Sequence, residues 1–233
     1  QGYPDKSRVV KFIVPTGPGS ALDLLARAYA KAMSETSGIN VIVDNKPGGD
    51  GVPGIMSFLN TRADGYTLLL VSSSWMSVNP VLTRHIPYDP LKDLLPITTI
   101  SSAALVMSMS SSLPFKTARD FVAAARANPG KYTCAQSSPT LRMACHYLQA
   151  AAGIKLLIVP YKTTAAAYMA VSSGEADVVF ADAGSSLSSW RSGRVKAVAV
   201  ATTERIPSLP QIPTTREEGI PDFLMSAWYG IYF

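Results

Sequence analysis

The chain has only two cysteines, two histidines and no concentrated run of like charge, and each scarcity narrows what its 233 residues can do. With so few histidines, and no C-x-x-C or H-x-x-x-H spacing, no metal site is expected. His85 lies in a proline-rich passage and His146 inside a helical pattern, so both read as surface or half-buried residues. No G-x-S-x-G occurs, so the serine-rich turns carry no nucleophile elbow. The net charge of +5 is spread out, without the basic stripe that nucleic-acid binding needs. No apolar run approaches the roughly 18 residues of a membrane helix. No basic segment followed by an apolar one opens the chain, and Gln1-Gly2-Tyr3 is compatible with a mature N-terminus after signal removal. The cysteines, Cys134 and Cys145, pair in an exported protein and stay buried thiols in a cytosolic one.

What is present is an ordered α/β pattern. Residues 9–14 are an apolar run, broken by Pro15-Thr16-Gly17-Pro18-Gly19. Leu22, Leu25, Ala26, Tyr29, Ala30 and Met33 then recur at helical spacing, predicting a buried stripe with Arg27, Lys31 and Glu35 on a wet face. Ser20 and Asp23 form a predicted capping box, the hydroxyl taking an orphan N–H while the carboxylate reaches back. Such a strand, glycine-rich turn and helix N-terminus is either a tight connection or an anion site at the positive end of the helix dipole. G-P-G-S-A-L lacks the third glycine of a dinucleotide fingerprint, and no Lys-Ser or Lys-Thr follows as a P-loop requires. No cofactor is therefore expected.

Gly38 ends that helix, 41–43 reads as a second strand, and a second glycine-rich turn covers 44–51. Pro53 starts a helix over 54–61, and 66–71 is a third strand ending in Ser72, Ser73, Ser74 and Trp75. Ligands of open parallel sheets sit at such strand ends. Four prolines between 79 and 97 predict a surface connector, with a domain boundary near residue 100. The second half repeats the plan. Strand 103–109 is followed by a helix to Ala127 capped by Thr117 and Asp120, and then by strand 131–135. Gln136, Ser137, Ser138, Pro139 and Thr140 lead into a helix to about 152, and 155–159 is a strand. Tyr161 opens a turn into a small-residue helix, strand 176–180 carries Asp182 at its end, and a short helix runs to Arg191. Strand 195–201 closes this set, Thr214 and Glu217 cap one more helical turn, and 226–233 is a final strand. That apolar end predicts a natural chain continuing past Phe233.

The candidate ligand-binding residues are those of the small polar turns. They are Thr16, Gly17, Gly19, Ser20, Ser73, Ser74 and Trp75 in the first half, and Gln136, Ser137, Ser138, Thr140, Tyr161 and Asp182 in the second. Their N–H and hydroxyl donors suit a carboxylate in a cleft between two lobes that close about a hinge. Two rivals share the pattern: an α/β enzyme on a small anionic substrate with Cys134 as nucleophile, and the ligand-sensing domain of a regulator.

Several short motifs then line up from end to end. Tyr3-Pro4-Asp5-Lys6, Ile13-Val14-Pro15 with Pro18-Gly19 and Asp23, and Asn45-Lys46-Pro47-Gly48 come first. Ala63-Asp64-Gly65-Tyr66, Pro87-Tyr88-Asp89-Pro90, Asn128-Pro129-Gly130-Lys131, Val159-Pro160-Tyr161-Lys162, Ile212-Pro213-Thr214 and Ser226-Ala227-Trp228-Tyr229-Gly230 follow. In order and spacing the chain resembles the Bug family, the TctC-like periplasmic solute-binding proteins of tripartite tricarboxylate transporters. The resemblance implies a two-lobed, type II-like periplasmic-binding-protein fold, each lobe a mixed, mainly parallel sheet flanked by helices. Lobe 1 would be 1–100 plus 225–233 and lobe 2 would be 101–224, with the family's C-terminal helices absent after 233. It also implies a monomeric, non-enzymatic receptor in the periplasm, its signal peptide removed. That receptor would capture a small organic anion (a mono-, di- or aromatic carboxylate) and deliver it to membrane permease subunits. Export would make Cys134 and Cys145 a disulfide. The departures from the family pattern fall in the ligand loops. Thr16-Gly17-Pro18-Gly19-Ser20 stands where Phe-Pro-Pro-Gly-Gly is usual, and Cys134-Ala135-Gln136-Ser137-Ser138-Pro139 where Ser-Ser-Gly-x-Gly-Thr is usual. The family's aspartate position falls on Ala181, one residue before Asp182.

Overall fold

The computed structural model describes residues 5–233; Gln1-Gly2-Tyr3 and the Tyr3-Pro4 part of the first motif lie outside them. In chain order the elements are β1 (Val10–Val14), α1 (Ala21–Ser37), β2 (Val41–Asn45), α2 (Val52–Leu59) and β3 (Thr67–Ser72). A π-helix at Ser74–Val78 and α3 (Asn79–Leu82) follow, then β4 (Pro96–Ser110), α4 (Ala118–Ala127), β5 (Thr133–Gln136) and α5 (Pro139–Ala152). The rest are β6 (Leu157–Pro160), α6 (Thr164–Ser173), β7 (Val178–Asp182), α7 (Ala183–Arg191), β8 (Val195–Val200) and β9 (Ser226–Tyr232).

The chain divides into two compact units. One holds the described residues up to Ser101 together with Trp228–Phe233, and the other is Ser102–Ala227. In the first, β1 lies between β2 and β3 and is parallel to both, with Val10 opposite Val41 and Phe12 opposite Leu68. β9 adds to β3 in antiparallel register, Leu70 facing Ile231. In the second, β5 is parallel to both β6 and β7, while β4 runs antiparallel to β7 and β8. The inner strands are apolar runs because both faces are covered: Leu105, Val106, Met107 and Met109 are buried, as are Val178, Val179 and Phe180.

Local expectation and structure part company at four places. The buried stripe of α1 is Leu22, Asp23, Ala26 and Ala30, while Leu25, Tyr29 and Met33 are only half-buried. The helix turns a carboxylate inward because partners wait there. Ser20 caps α1 as expected, its Oγ accepting from the Asp23 N–H at 3.2 Å, but the Asp23 carboxylate reaches past Ser20 to the Gly19 N–H at 2.9 Å. β4 begins at Pro96, not at 103, so the division between the units, which falls at Ser101/Ser102, lies within a strand. Pro96 needs no ladder partner as a first residue, and the β-branched run Ile97-Thr98-Thr99-Ile100 prefers an extended backbone. Leu95 and Phe233 exchange N–H···O bonds at 2.8 Å just before it. Finally, Thr214 and Glu217 do exchange capping bonds, 2.7 and 3.1 Å, but the residues after them form turns, not a helix. Pro221 follows too soon for a helix to propagate.

Candidate functional site

In the first unit, the turn after β1 is organised by Asp23, which is 2% exposed. Its carboxylate accepts from the Gly19 N–H, from Arg27 Nε at 3.1 Å and from Asn45 Nδ2 at 3.0 Å. Asn45 Nδ2 also donates to the Thr16 carbonyl at 3.0 Å, and the hydroxyls of Thr16 and Ser20 share a hydrogen bond of 2.6 Å. Thr16, Gly19 and Ser20 are thus fixed by one network, to which Gly17 is joined by the Ser20 N–H donating to its carbonyl at 3.4 Å. Burial pushes the Asp23 carboxyl up, but the bonds from Arg27, Gly19 and Asn45 outweigh it and hold its pKa below the ordinary carboxylate value. The positive end of α1 is therefore already faced by a carboxylate of its own.

The end of β3 is built differently. Ser73, Ser74 and Trp75 are all buried. The Trp75 indole N–H donates to the Asp50 carbonyl at 2.7 Å, and Asn79 Nδ2 donates to the same oxygen at 3.2 Å. Tyr88 closes the set, its hydroxyl donating to the Trp75 carbonyl at 3.0 Å. The backbone that presents the Asp50 carbonyl is left-handed over four successive residues, Gly48, Gly49, Asp50 and Gly51, with φ of 99°, 53°, 52° and 81°. The indole lies so close over Gly51 that a Cβ there would meet Trp75 Nε1 at 1.9 Å. Sequence reasoning read 44–51 as a turn and gave Asp50 and Gly51 no part in holding Trp75. The signal was the Gly-Gly-Asp-Gly run itself, more glycine than a simple βα turn needs.

In the second unit the parallel strands bring three helix starts to one edge. β5 ends at Gln136, β6 at Pro160 and β7 at Asp182, and Ser138, Thr163 and Asp182 cap the helices that follow. Gln136 and Thr140 are buried. The Gln136 carbonyl accepts from the Tyr161 N–H at 2.7 Å, and the Ser137 and Thr164 hydroxyls are 3.0 Å apart. Asp182 accepts from the Ser185 N–H at 3.0 Å and from Ser185 Oγ at 2.9 Å. The Tyr161 ring packs against the buried cluster that includes Ala135, Ala167 and Val171, and its hydroxyl donates to Glu175 at 3.0 Å. Cys134 and Cys145 are joined by a disulfide and are fully buried, so Cys134 has no thiol to act as a nucleophile.

Behind Asp182 runs a buried polar chain. Ser186 Oγ donates to the Asp182 carbonyl at 2.6 Å, Tyr168 OH to Ser186 Oγ at 2.6 Å, and Trp190 Nε1 to Ser108 Oγ at 3.0 Å, which is 3.1 Å from Tyr168 OH. Burial pushes the Tyr168 phenol up to about 12, so it stays a neutral donor. Tyr168→Phe should cost about 1–3 kcal/mol in urea unfolding, because it strips a partner from buried hydroxyls. A cost near zero would show that the chain does not support the α7 N-terminus.

His85 and His146 are exposed, and among the described residues no group of three histidine, cysteine or acidic side chains is placed to hold a metal. No helix among them is long and apolar enough to cross a membrane.

The model of the tripartite tricarboxylate transporter family receptor matches residues 25–232. The periplasmic binding protein BugD superposes with a TM-score of 0.91 at 29% identity, over 99% of this chain and 77% of that one. An R. palustris protein determined with adipate gives a TM-score of 0.95 at 27% identity, with the same coverage of 99% and 77%. MatC from Rhodopseudomonas palustris, with bound malate, gives 0.90 at 25% identity, over 97% of this chain and 77% of MatC. The fold is thus the two-lobed, type II-like periplasmic-binding-protein fold, built of mixed sheet flanked by helices. The first unit is mainly parallel. In the second, the antiparallel pairings of β4 with β7 and β8 equal the parallel ones of β5 with β6 and β7, which corrects the expectation of a mainly parallel sheet in each lobe.

Proposed function

The chain belongs to the tripartite tricarboxylate transporter receptor family, and on that premise we propose that it captures a small organic carboxylate in the periplasm and delivers it to membrane permease subunits. It works as a monomer and without turnover. The observation that carries the reading is the edge of the second unit, where the ends of β5 and β6 lead into α5 and α6. Their starts are capped by the neutral hydroxyls of Ser138 and Thr163 and bring the positive ends of two helix dipoles together, while α7 beside them is capped by the Asp182 carboxylate. The ligands of the two R. palustris relatives, adipate and malate, support a carboxylate. The buried Cys134–Cys145 disulfide weighs against the rival in which Cys134 attacks a substrate.

Calorimetry against malate, adipate, benzoate and acetate tests it. At least one of these should bind, and binding of a sugar or an amine with none of the four would overturn the carboxylate assignment. Ser20→Asp asks the same question of the first unit. Aspartate is a good N-cap, so the variant should fold, but it adds a like charge beside Thr16 and Gly19. Carboxylate affinity should drop at least about tenfold, the equivalent of about 1.4 kcal/mol of repulsion. Unchanged affinity would remove Thr16, Gly17, Gly19 and Ser20 from the site.

A further inference from the structure

The disulfide encloses the turn between β5 and α5. Cys134 lies two residues before the end of β5, Cys145 lies in the second turn of α5, and the 11-residue separation spans Gln136, Ser137, Ser138 and Thr140. The turn contains no glycine, and it is tied on both sides, the Gln136 carbonyl accepting from the Tyr161 N–H at 2.7 Å and the Ser138 carbonyl from the Arg142 N–H at 2.9 Å. Leu141 N–H reaches Ser138 Oγ at 3.4 Å, and Ser137 and Thr164 share one hydroxyl bond. β5 itself is held firmly, with Cys134 opposite Ile158 on one side and Val178 on the other. α5 buries Leu141, Ala144, Leu148 and Ala152 together with Cys145 itself, so the disulfide lies on the helix's buried face. The Cys134–Cys145 bond ties the rigid strand directly to the helix on the far side of the turn.

Resting on the receptor reading above, we propose that this disulfide is a positioning element of the carboxylate site, holding Gln136, Ser138 and Thr140 in the geometry the ligand needs. With the bond in place the turn is pre-organised, and binding costs little further ordering. With it broken, α5 shifts on the sheet, the turn samples more arrangements, and the ligand must select one of them. Reduction by a dithiol is balanced: the protein S–S bond breaks, Cys134 and Cys145 gain two electrons and two protons, and the dithiol closes to its own disulfide.

The test compares the oxidised protein with its dithiol-reduced form, using malate, adipate and benzoate as probes well below either unfolding transition. Calorimetry and stopped-flow dissociation should show at least a tenfold loss of affinity on reduction, carried mainly by faster dissociation. Amides of 136–141 should exchange faster in the reduced form. If reduction unfolds the chain, the Cys134→Ala, Cys145→Val double variant, which refills the buried space, takes its place. A disulfide that only stabilises would lower the unfolding temperature while leaving Kd and dissociation unchanged within twofold, and that result, or unchanged exchange at 136–141, overturns the proposal alone. Failure of the oxidised protein to bind any probe overturns the receptor reading for these carboxylates, and the positioning role with it.

Discussion

Gly51→Ala should destabilise the first unit by about 3–6 kcal/mol, about three times the cost of Gly19→Ala. Both glycines have a left-handed backbone, φ 81° at Gly51 and 80° at Gly19, so each substitution incurs about 1–2 kcal/mol of backbone strain. There the likeness ends. A Cβ on Gly19 meets nothing within 4 Å, whereas one on Gly51 would meet Trp75 Nε1 at 1.9 Å, Cε2 at 2.4 Å and Cδ1 at 2.8 Å. The indole is buried and bonded to the Asp50 carbonyl, so it has nowhere to retreat without repacking and losing that bond. Overpacking of this kind costs about 1–3 kcal/mol, and a buried hydrogen bond about 1 kcal/mol more. Urea unfolding followed by tryptophan emission measures both effects, since the displaced indole also changes its spectrum. Equal losses for the two variants would mean that Trp75 is not seated on Gly51.

Asp23→Ala should cost about 2–4 kcal/mol near neutral pH, with the loss shrinking in acid. The buried carboxylate satisfies the Gly19 N–H and Asn45 Nδ2, and both are stranded when it is removed. Its ion pair with Arg27, 3.0 Å, contributes less because the arginine side chain is 53% exposed. The sign of the pH dependence follows from the depressed native pKa. Below the native value both folded and unfolded chains hold the proton, so the carboxylate's contribution is absent. It grows as pH rises through that value and is complete above the unfolded value of about 3.9. The wild type should therefore lose stability as pH falls below about 4, and Asp23→Ala should lose less over the same range. A difference between the two that stays constant from pH 2 to 6 would show that the Asp23 carboxyl titrates alike in the folded and unfolded chains, with no depressed native pKa. The same variant frees Asn45 and so loosens Thr16, which ties the stability of this turn to its geometry.

Much of the local structure could be read directly because its causes are local. Ser20 and Thr117 cap the helices that follow them, and Gly38 ends α1 in the left-handed region, as hydrogen-bonding chemistry over three or four residues dictates. The inward turn of Asp23 was not legible, because an aspartate at the third helical position is ordinarily a wet partner of the dipole. Its burial is favourable because Asn45, 22 residues away and itself bonded to the Thr16 carbonyl, joins the Gly19 N–H and Arg27 in donating to the carboxylate. Trp75 reads as a strand-end residue until the left-handed Asp50–Gly51 backbone is seen beneath it. Likewise the proline run of 79–97 conceals where β4 begins, because Pro96 opens a strand whose partners include residues at the end of the chain.

The sequence by itself determined the alternation of strands and helices, the absence of metal and nucleotide motifs, and the small polar residues at the strand ends. These follow from side-chain period, cap chemistry and composition, which act over a few residues. The tertiary structure alone decided which strands are neighbours. It made β5, β6 and β7 parallel partners, so that Gln136, Ser138 and Asp182 share an edge. It carried β4 and β9 from one unit into the other, and it put Cys134 within bonding distance of Cys145. Those outcomes depend on contacts between segments tens to more than a hundred residues apart, or on the fit of a helix to its sheet, and no short stretch of sequence encodes them.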